Sequence, residues 1–259
     1  MYCHTNSPPC KIYLSQKIPN AMLPLAQLKK ELKKLSNPKQ AKILRKFFKT
    51  GKGEYGEGDI FLGVKVPIQR KIAKRYQELP LRDLEKLLNS KIHEQRMISL
   101  FILISRYEKA DKDKKKEIFD FYLKNIRGVN NWDLVDISAP KIIGDYLFGK
   151  PKKILYQFAR SKNLWERRIA VISTYAFIRD DKFNDTLRIS KILLVDKHDL
   201  IHKAAGWMLR EVGKRNQKIE EEFLKKYHTK MPRTMLRYAI ERFNKRKRRL
   251  YLKKRSEKK

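Results

Sequence analysis

The sequence predicts an all-α protein, a HEAT-like helical repeat solenoid with a concave basic groove, and three observations carry that prediction. Steps of 35 or 36 residues land on Arg96, Asn131, Arg167, His202 and Arg237, each just inside a helical segment with a repeating apolar pattern. Strand-like alternation is absent from Leu25 onward, and helix-breaking residues punctuate the chain instead. Short helical segments alternate with longer ones, as in stacked helix pairs.

Taken in order, residues 1–22 differ from the rest and are expected to form a disordered leader, with Met22 a candidate start. The solenoid is expected over 23–249. Its breaks fall at Asn37-Pro38, Leu79-Pro80, Asn89-Ser90, Gly128, Gly149 to Pro151, Ser161 to Asn163 and Met231-Pro232. Leu81–Leu88 pairs with Glu94–Tyr107, and Lys152–Arg160 with Leu164–Ile178. A basic tail is expected over 250–259.

In a solenoid the second helix of each pair lines the concave face, so the period predicts lateral neighbours. One residue past each register position lie Met97, Trp132, Arg168, Lys203 and Tyr238; one turn further lie Phe101, Asp136, Ile172, Trp207 and Arg242. Trp132 should therefore lie beside Arg168 and Arg168 beside Lys203, with Asp136 and Trp207 on the same stripe.

The charge names the partner class. Lys and Arg number 63 against 28 Asp and Glu, a net charge of +35, and the pI is near 10.2. Such a chain attracts polyanions, nucleic acid first. An anionic membrane would require an exposed apolar helix face or a lipidation signal, and neither appears. No apolar stretch approaches the roughly 20 residues of a membrane span, and a signal peptide is not evident, so a cytoplasmic protein, nucleoid-associated when bound to DNA, is expected. With 41% apolar residues, there is enough material for a folded core.

Metal and nucleotide sites are not predicted. Cys3 and Cys10 lack zinc-site spacing, and the five histidines form no H-E-x-x-H pattern. Gly51 to Gly56 matches G-x-G-x-x-G, but it follows a helix rather than a strand, and Glu54, Glu57 and Asp59 would repel phosphate. Its glycines are expected to make turns before Ile60-Phe61-Leu62 packs on the first helices. No cofactor is expected.

Each candidate site residue also has a plain structural explanation. Trp132 with Asp136 could be packing plus an ion pair. Asp133 suits the first turn of a helix, and Trp165 lies off the stripe and is expected to pack. Ala204-Ala205-Gly206 before Trp207 could serve helix packing as well as close approach of a ligand. The joint occurrence on one face of a basic solenoid is more telling than any member.

Several segments carry a family resemblance: Phe47 to Gly56 with Phe61-Leu62-Gly63-Val64, Trp132-Asp133-Leu134-Val135-Asp136, Leu164 to Arg168, Gly206 to Glu211, and Met231-Pro232-Arg233. From about Leu25 to Phe243 the chain resembles the AlkD-type DNA alkylation repair glycosylases. The resemblance implies hydrolysis of the N-glycosidic bond of cationic N3- and N7-alkylated purines in duplex DNA, as in base excision repair, with the lesion engaged through the backbone and the base left stacked. Asp136 matches the family's catalytic aspartate, Trp132 and Trp207 its groove tryptophans, and Arg168 its catalytic-site arginine. Arg168, Lys203, Arg167 and Arg237 are expected to contact DNA, Arg168 by holding a phosphate that flanks the lesion. A monomer is expected.

The chemistry suits these residues. A cationic purine leaves with little acid assistance, and positive charge builds on the deoxyribose, where Asp136 could stabilise it and orient water. The rival reading is a non-catalytic solenoid that binds DNA or RNA. Asp136 separates the two, because a carboxylate among phosphates costs affinity unless it does chemistry. A protein-binding solenoid fits +35 poorly.

Overall fold

The computed structural model describes residues 24–253, so the expected leader and the last six residues of the tail lie outside it. The described chain runs through α1 (Leu25–Lys34), α2 (Pro38–Phe47), α3 (Val66–Arg75), α4 (Leu81–Leu88), α5 (His93–Lys109), α6 (Lys112–Lys124), α7 (Trp132–Ser138) and α8 (Asp145–Leu147). It continues through α9 (Lys153–Phe158), α10 (Leu164–Ser173), α11 (Tyr175–Ile178), α12 (Asn184–Ile192), α13 (Asp199–Arg215), α14 (Gln217–Tyr227), α15 (Arg233–Ala239) and α16 (Lys245–Leu252). Among the described residues there is no strand beyond one isolated bridge between Ile60 and Ile92. Among the described residues no helix is long and apolar enough to cross a membrane.

The helices begin where short polar side chains satisfy free amides. Asn37 accepts from the Gln40 amide with Pro38 in the first turn, Asp111 from Lys114, Asn163 from Trp165 and Asn216 from Ile219; such caps are typically worth about 1 kcal/mol each. The long segment expected over Leu164–Ile178 is divided by Thr174 into α10 and α11. The helix begun by α7 widens into a π-type turn over Pro140–Gly144 before α8. Proline has no amide to continue the α-helical ladder, and the Gly144 amide reaches back to Ala139 at 2.8 Å instead.

The repeat period is realised as a lateral stack. α5 packs on α7, α7 on α10, α10 on α13 and α13 on α15, which are the helices that carry the five register positions. Along this seam Ile98, Leu134, Val135, Ile169, Ile172, Ala204, Ala205, Met208 and Met235 are fully buried in one continuous core.

Three of the five register residues staple their helix to the loop before it. Arg96 donates to the Ser90 carbonyl at 2.8 Å, Arg167 to the Ser161 carbonyl at 3.0 Å, and His202 bonds the Asp196 carbonyl at 2.6 Å. In each case the partner lies six residues back, so the period marks a structural device as well as a face.

The glycine-rich segment is filled by its own acids. Glu54 accepts from the Gly51 amide and Glu57 from the Gly53 amide, both at 2.8 Å, so the amides a phosphate would need are occupied. Phe61 packs with Ala41 and Phe48, whereas Ile60 is left exposed. Next, fully buried Glu94 collects the amides of Leu62, Gly63 and Val64.

A buried polar cluster ties this segment to the start of α7. Asp59 accepts from Arg96 at 2.7 Å and Asn131 at 3.1 Å. His93 bridges Asp59 and Asp133 at 3.4 and 2.9 Å and stacks on Phe61. Burial alone would push the Asp59 carboxyl up, but His93, Arg96 and Asn131 outweigh it and hold the group below its usual value. For His93, burial is outweighed by Asp133 and Asp59, which raise it.

Candidate functional site

The site starts from Asn131. This fully buried side chain, fixed by Asp59, accepts from the Trp132 amide at 2.8 Å and so sets where α7 begins. The Trp132 indole stacks on Phe48 with centroids 5.3 Å apart and meets Phe47 edge-on at 6.0 Å. One turn later on the same face lies Asp136.

Arg168 of α10 grips that carboxylate with both arms of its guanidinium. Nε donates to Oδ1 and Nη2 to Oδ2, each at 2.8 Å, while Nη1 donates to the Leu200 carbonyl at 2.5 Å. The Arg168 side chain is 6% exposed and that of Asp136 16%. Three of the five Arg168 N–H donors are thus taken, two by Asp136 and one by the Leu200 carbonyl at the start of α13. Burial lifts the Asp136 carboxyl above its ordinary value, Arg168 opposes the lift, and Asp133 adds to it. Without Arg168 this carboxylate would have no compensation for its lost hydration.

Around the pair opens a cavity of about 560 Å³, whose wall includes Trp132, Asp136, Arg168, Lys203, Trp207 and Tyr238. Trp207 is held through its indole N–H, which donates to Glu211 at 2.9 Å, and Glu211 also takes Lys214 at 2.7 Å. Lys203 pairs with Asp199 at 2.7 Å. Asp136 also borders a second hollow of about 460 Å³ that includes Arg70, Phe101, Lys141, Tyr175 and Arg179. Arg70 lies over the Phe101 ring at 4.1 Å. The groove thus continues past the carboxylate along the stack.

The register column one residue in supplies Trp132, Arg168, Lys203 and Tyr238 to one wall, as the period predicts. The remaining expected DNA contacts are elsewhere. Arg167 is ion-paired to Asp196 at 2.5 Å and borders a separate shallow hollow with Ser161, Lys197 and His198. Arg237 is exposed outside the cavity. Within the stripe Ile172 is fully buried, and Tyr175 lines the second hollow in that unit.

Sequence reasoning missed the part of the wall made by Phe47, Lys49 and Tyr55. They lie far from α7 in sequence and outside the repeat; the available signal was the aromatic pair Phe47-Phe48 beside a turn-rich loop. Tyr55 also meets Trp165 edge-on at 6.1 Å, and Trp165 otherwise packs against the core, as expected. Burial raises the Tyr55 phenol, with Trp132 and Lys203 opposing.

Gly206 is a packing residue. A Cβ there would lie 2.4 Å from the Met235 carbonyl oxygen and 2.6 Å from the Tyr238 Cβ, so the missing side chain lets α15 close on α13. Gly206→Ala is expected to destabilise the fold by about 2–3 kcal/mol and to displace Trp207; a urea titration monitored by tryptophan fluorescence checks both.

Comparison with known proteins bears on the fold and the family. Among curated protein sequences none matches the chain. A predicted DNA alkylation repair enzyme from Enterococcus faecalis superposes with a TM-score of 0.64 at 17% identity, covering 81% of this chain and 97% of that one. AlkD2 from Streptococcus mutans superposes with a TM-score of 0.51 at 18% identity, covering 85% and 97%. At these identities the likeness establishes the fold, the HEAT-like solenoid. The family model of the DNA alkylation repair enzymes matches residues 28–243, the whole of the helical stack with the wall of the cavity, and the chain belongs to that family.

Proposed function

We propose that the protein is a DNA glycosylase that hydrolyses the N-glycosidic bond of cationic N3- and N7-alkylated purines in duplex DNA, acting as a cytoplasmic monomer without a cofactor. The observation that carries this reading is Asp136: a largely buried carboxylate, held at both oxygens by Arg168, on the wall of an aromatic and cationic groove in a chain of net charge +35. A carboxylate facing a phosphate-lined groove lowers affinity for nucleic acid and so does not serve binding itself.

The bond from C1′ to the purine nitrogen breaks with its electron pair going to the base, which leaves neutral because it began as a cation. Water adds to the oxocarbenium-like carbon and gives up a proton. Each Asp136 oxygen keeps a lone pair beyond the one Arg168 uses, enough to orient that water and face the sugar. A charge pair at about 4 Å and an effective dielectric near 20 is worth roughly 4 kcal/mol, on the order of a thousandfold in rate if felt mainly in the transition state. Arg168 offsets part of this field, so close approach of the oxygens to the sugar decides how much survives.

Trp132 and Trp207 supply faces for the sugar and backbone, each indole adding about 0.5–2 kcal/mol toward a cationic centre. Arg168 acts here as a positioning residue that opposes the lift burial gives the Asp136 carboxyl. Lys203 is the column's candidate phosphate contact, and Arg237 and Arg167 are left to the edges of the DNA path. Release of free methylated purine from methylated duplex DNA tests the reading.

A further inference from the structure

Lys49 stands where a glycine is normally required. It follows the Phe48 cap of α2 with φ 50°. The Lys49 amide donates to Lys46 at 3.4 Å and the Thr50 amide to Arg45 at 3.2 Å, the paired closure of a helix whose left-handed residue is usually glycine. Elsewhere this chain places glycine at its positive-φ positions, at Gly53, Gly58, Gly63 and Gly149; among the described residues the other exception is Asp181, which is ion-paired to Arg215. Lys49 is exposed and has no comparable partner.

Its side chain lines the cavity that holds Asp136, next to Phe47, which is 61% exposed. The other Lys and Arg side chains of that cavity each have a carboxylate partner: Arg168 pairs with Asp136, Lys203 with Asp199, and Arg210 with Glu241. Among the described residues, Lys49 is the lysine or arginine of this cavity without a carboxylate within ion-pair distance. A lysine retained in a strained backbone position, unneutralised, beside an exposed aromatic ring, is suited to an external anion.

We propose that Lys49 binds a backbone phosphate of the strand that enters the groove, with Phe47 as the apolar platform beside it. This rests on DNA being the ligand. The loop end thereby adds a phosphate contact supplied by the N-terminal helices rather than by the repeat column.

The test uses the full-length chain, a fluorescein-labelled duplex with and without 7-methylguanine, and a salt series. Lys49→Gly relieves the backbone strain, so it is expected to melt about 2–4 °C higher. It should also bind both duplexes more weakly, with a salt dependence about one phosphate contact shallower. Lys49→Arg should restore affinity. A Lys49→Gly protein that melts higher yet keeps wild-type affinity and salt slope overturns the proposal, and so does one that melts lower with affinity unchanged. Failure of the wild type to bind duplex would instead overturn the DNA reading, and the role of Lys49 with it.

Discussion

Asp136→Asn is expected to bind alkylated duplex nearly as tightly as the wild type and to release 7-methylguanine on the order of a thousandfold more slowly. Asparagine keeps the shape and one acceptor, so the Arg168 Nε can still donate to it, but the negative charge facing the sugar is gone. The substitution also breaks a buried ion pair in which the arginine is 6% exposed, a change that typically costs about 3–5 kcal/mol when a partner is simply removed; the retained hydrogen bond should hold the loss below that. Single-turnover release, affinity by fluorescence anisotropy and a melting curve on the same preparation separate these effects. Slow release at preserved affinity and fold assigns Asp136 to the chemical step, whereas unchanged release removes it from the mechanism.

Arg168→Gln should move the pH dependence as well as the rate. Burial already lifts the Asp136 carboxyl, and Arg168 is the group that opposes the lift most strongly. Removing the guanidinium raises the carboxyl further, so at neutral pH more of the protein carries a neutral acid with no charge to offer the sugar. The acid limb of the rate profile is therefore expected at higher pH in the variant, with activity recovering as pH rises through the new value. At neutral pH the loss should be about a hundredfold, the scale on which a misplaced catalytic group costs rate. A merely structural role would lower the whole profile without displacing the limb. The Leu200 carbonyl also loses its partner, so the start of α13, and Trp207 with it, should loosen; melting curves at each pH keep that contribution visible.

How much of this was legible in the sequence follows from what a period can report. A 35-residue step in a helical stack fixes lateral neighbours, and it brought Trp132, Asp136, Arg168, Lys203 and Trp207 to one cavity while leaving Trp165 to pack. Separating Arg168 from Arg167 is a rotation of about 100° on a helix, and the structure puts the first on Asp136 and the second on Asp196. The period could not say that three of the register residues are staples to carbonyls six positions back, because that depends on how each preceding loop folds. Nor could it say that Arg168 holds both oxygens of Asp136, since pattern shows adjacency and not which donors meet which acceptors.

The N-terminal part of the wall was hidden for a different reason. Phe47, Lys49 and Tyr55 lie outside the repeat, and they reach the cavity through a buried cluster in which Asp59, His93, Arg96, Asn131 and Asp133 meet from distant segments. Long-range polar contacts of this kind have no periodic signature. The one local clue, a lysine where the helix end favours glycine, becomes readable only when its φ is known.

The fold and the site therefore divide the work. The stack supplies a face on which Trp132 and Asp136 are one helical turn apart, and the neighbouring helices fix their environment: α10 holds the carboxylate, and α13 holds Trp207 through Glu211. The N-terminal loop completes the wall of the cavity.

The central claim, that Asp136 works in cleavage of a damaged nucleotide, is tested most directly by incubating the protein with methylated duplex DNA and measuring free 3-methyladenine and 7-methylguanine, with Asp136→Asn in parallel. Release by the wild type, lost in a folded, DNA-binding Asp136→Asn protein, is the result predicted. Duplex binding by the wild type with no base released, or equal release by both proteins, would contradict it.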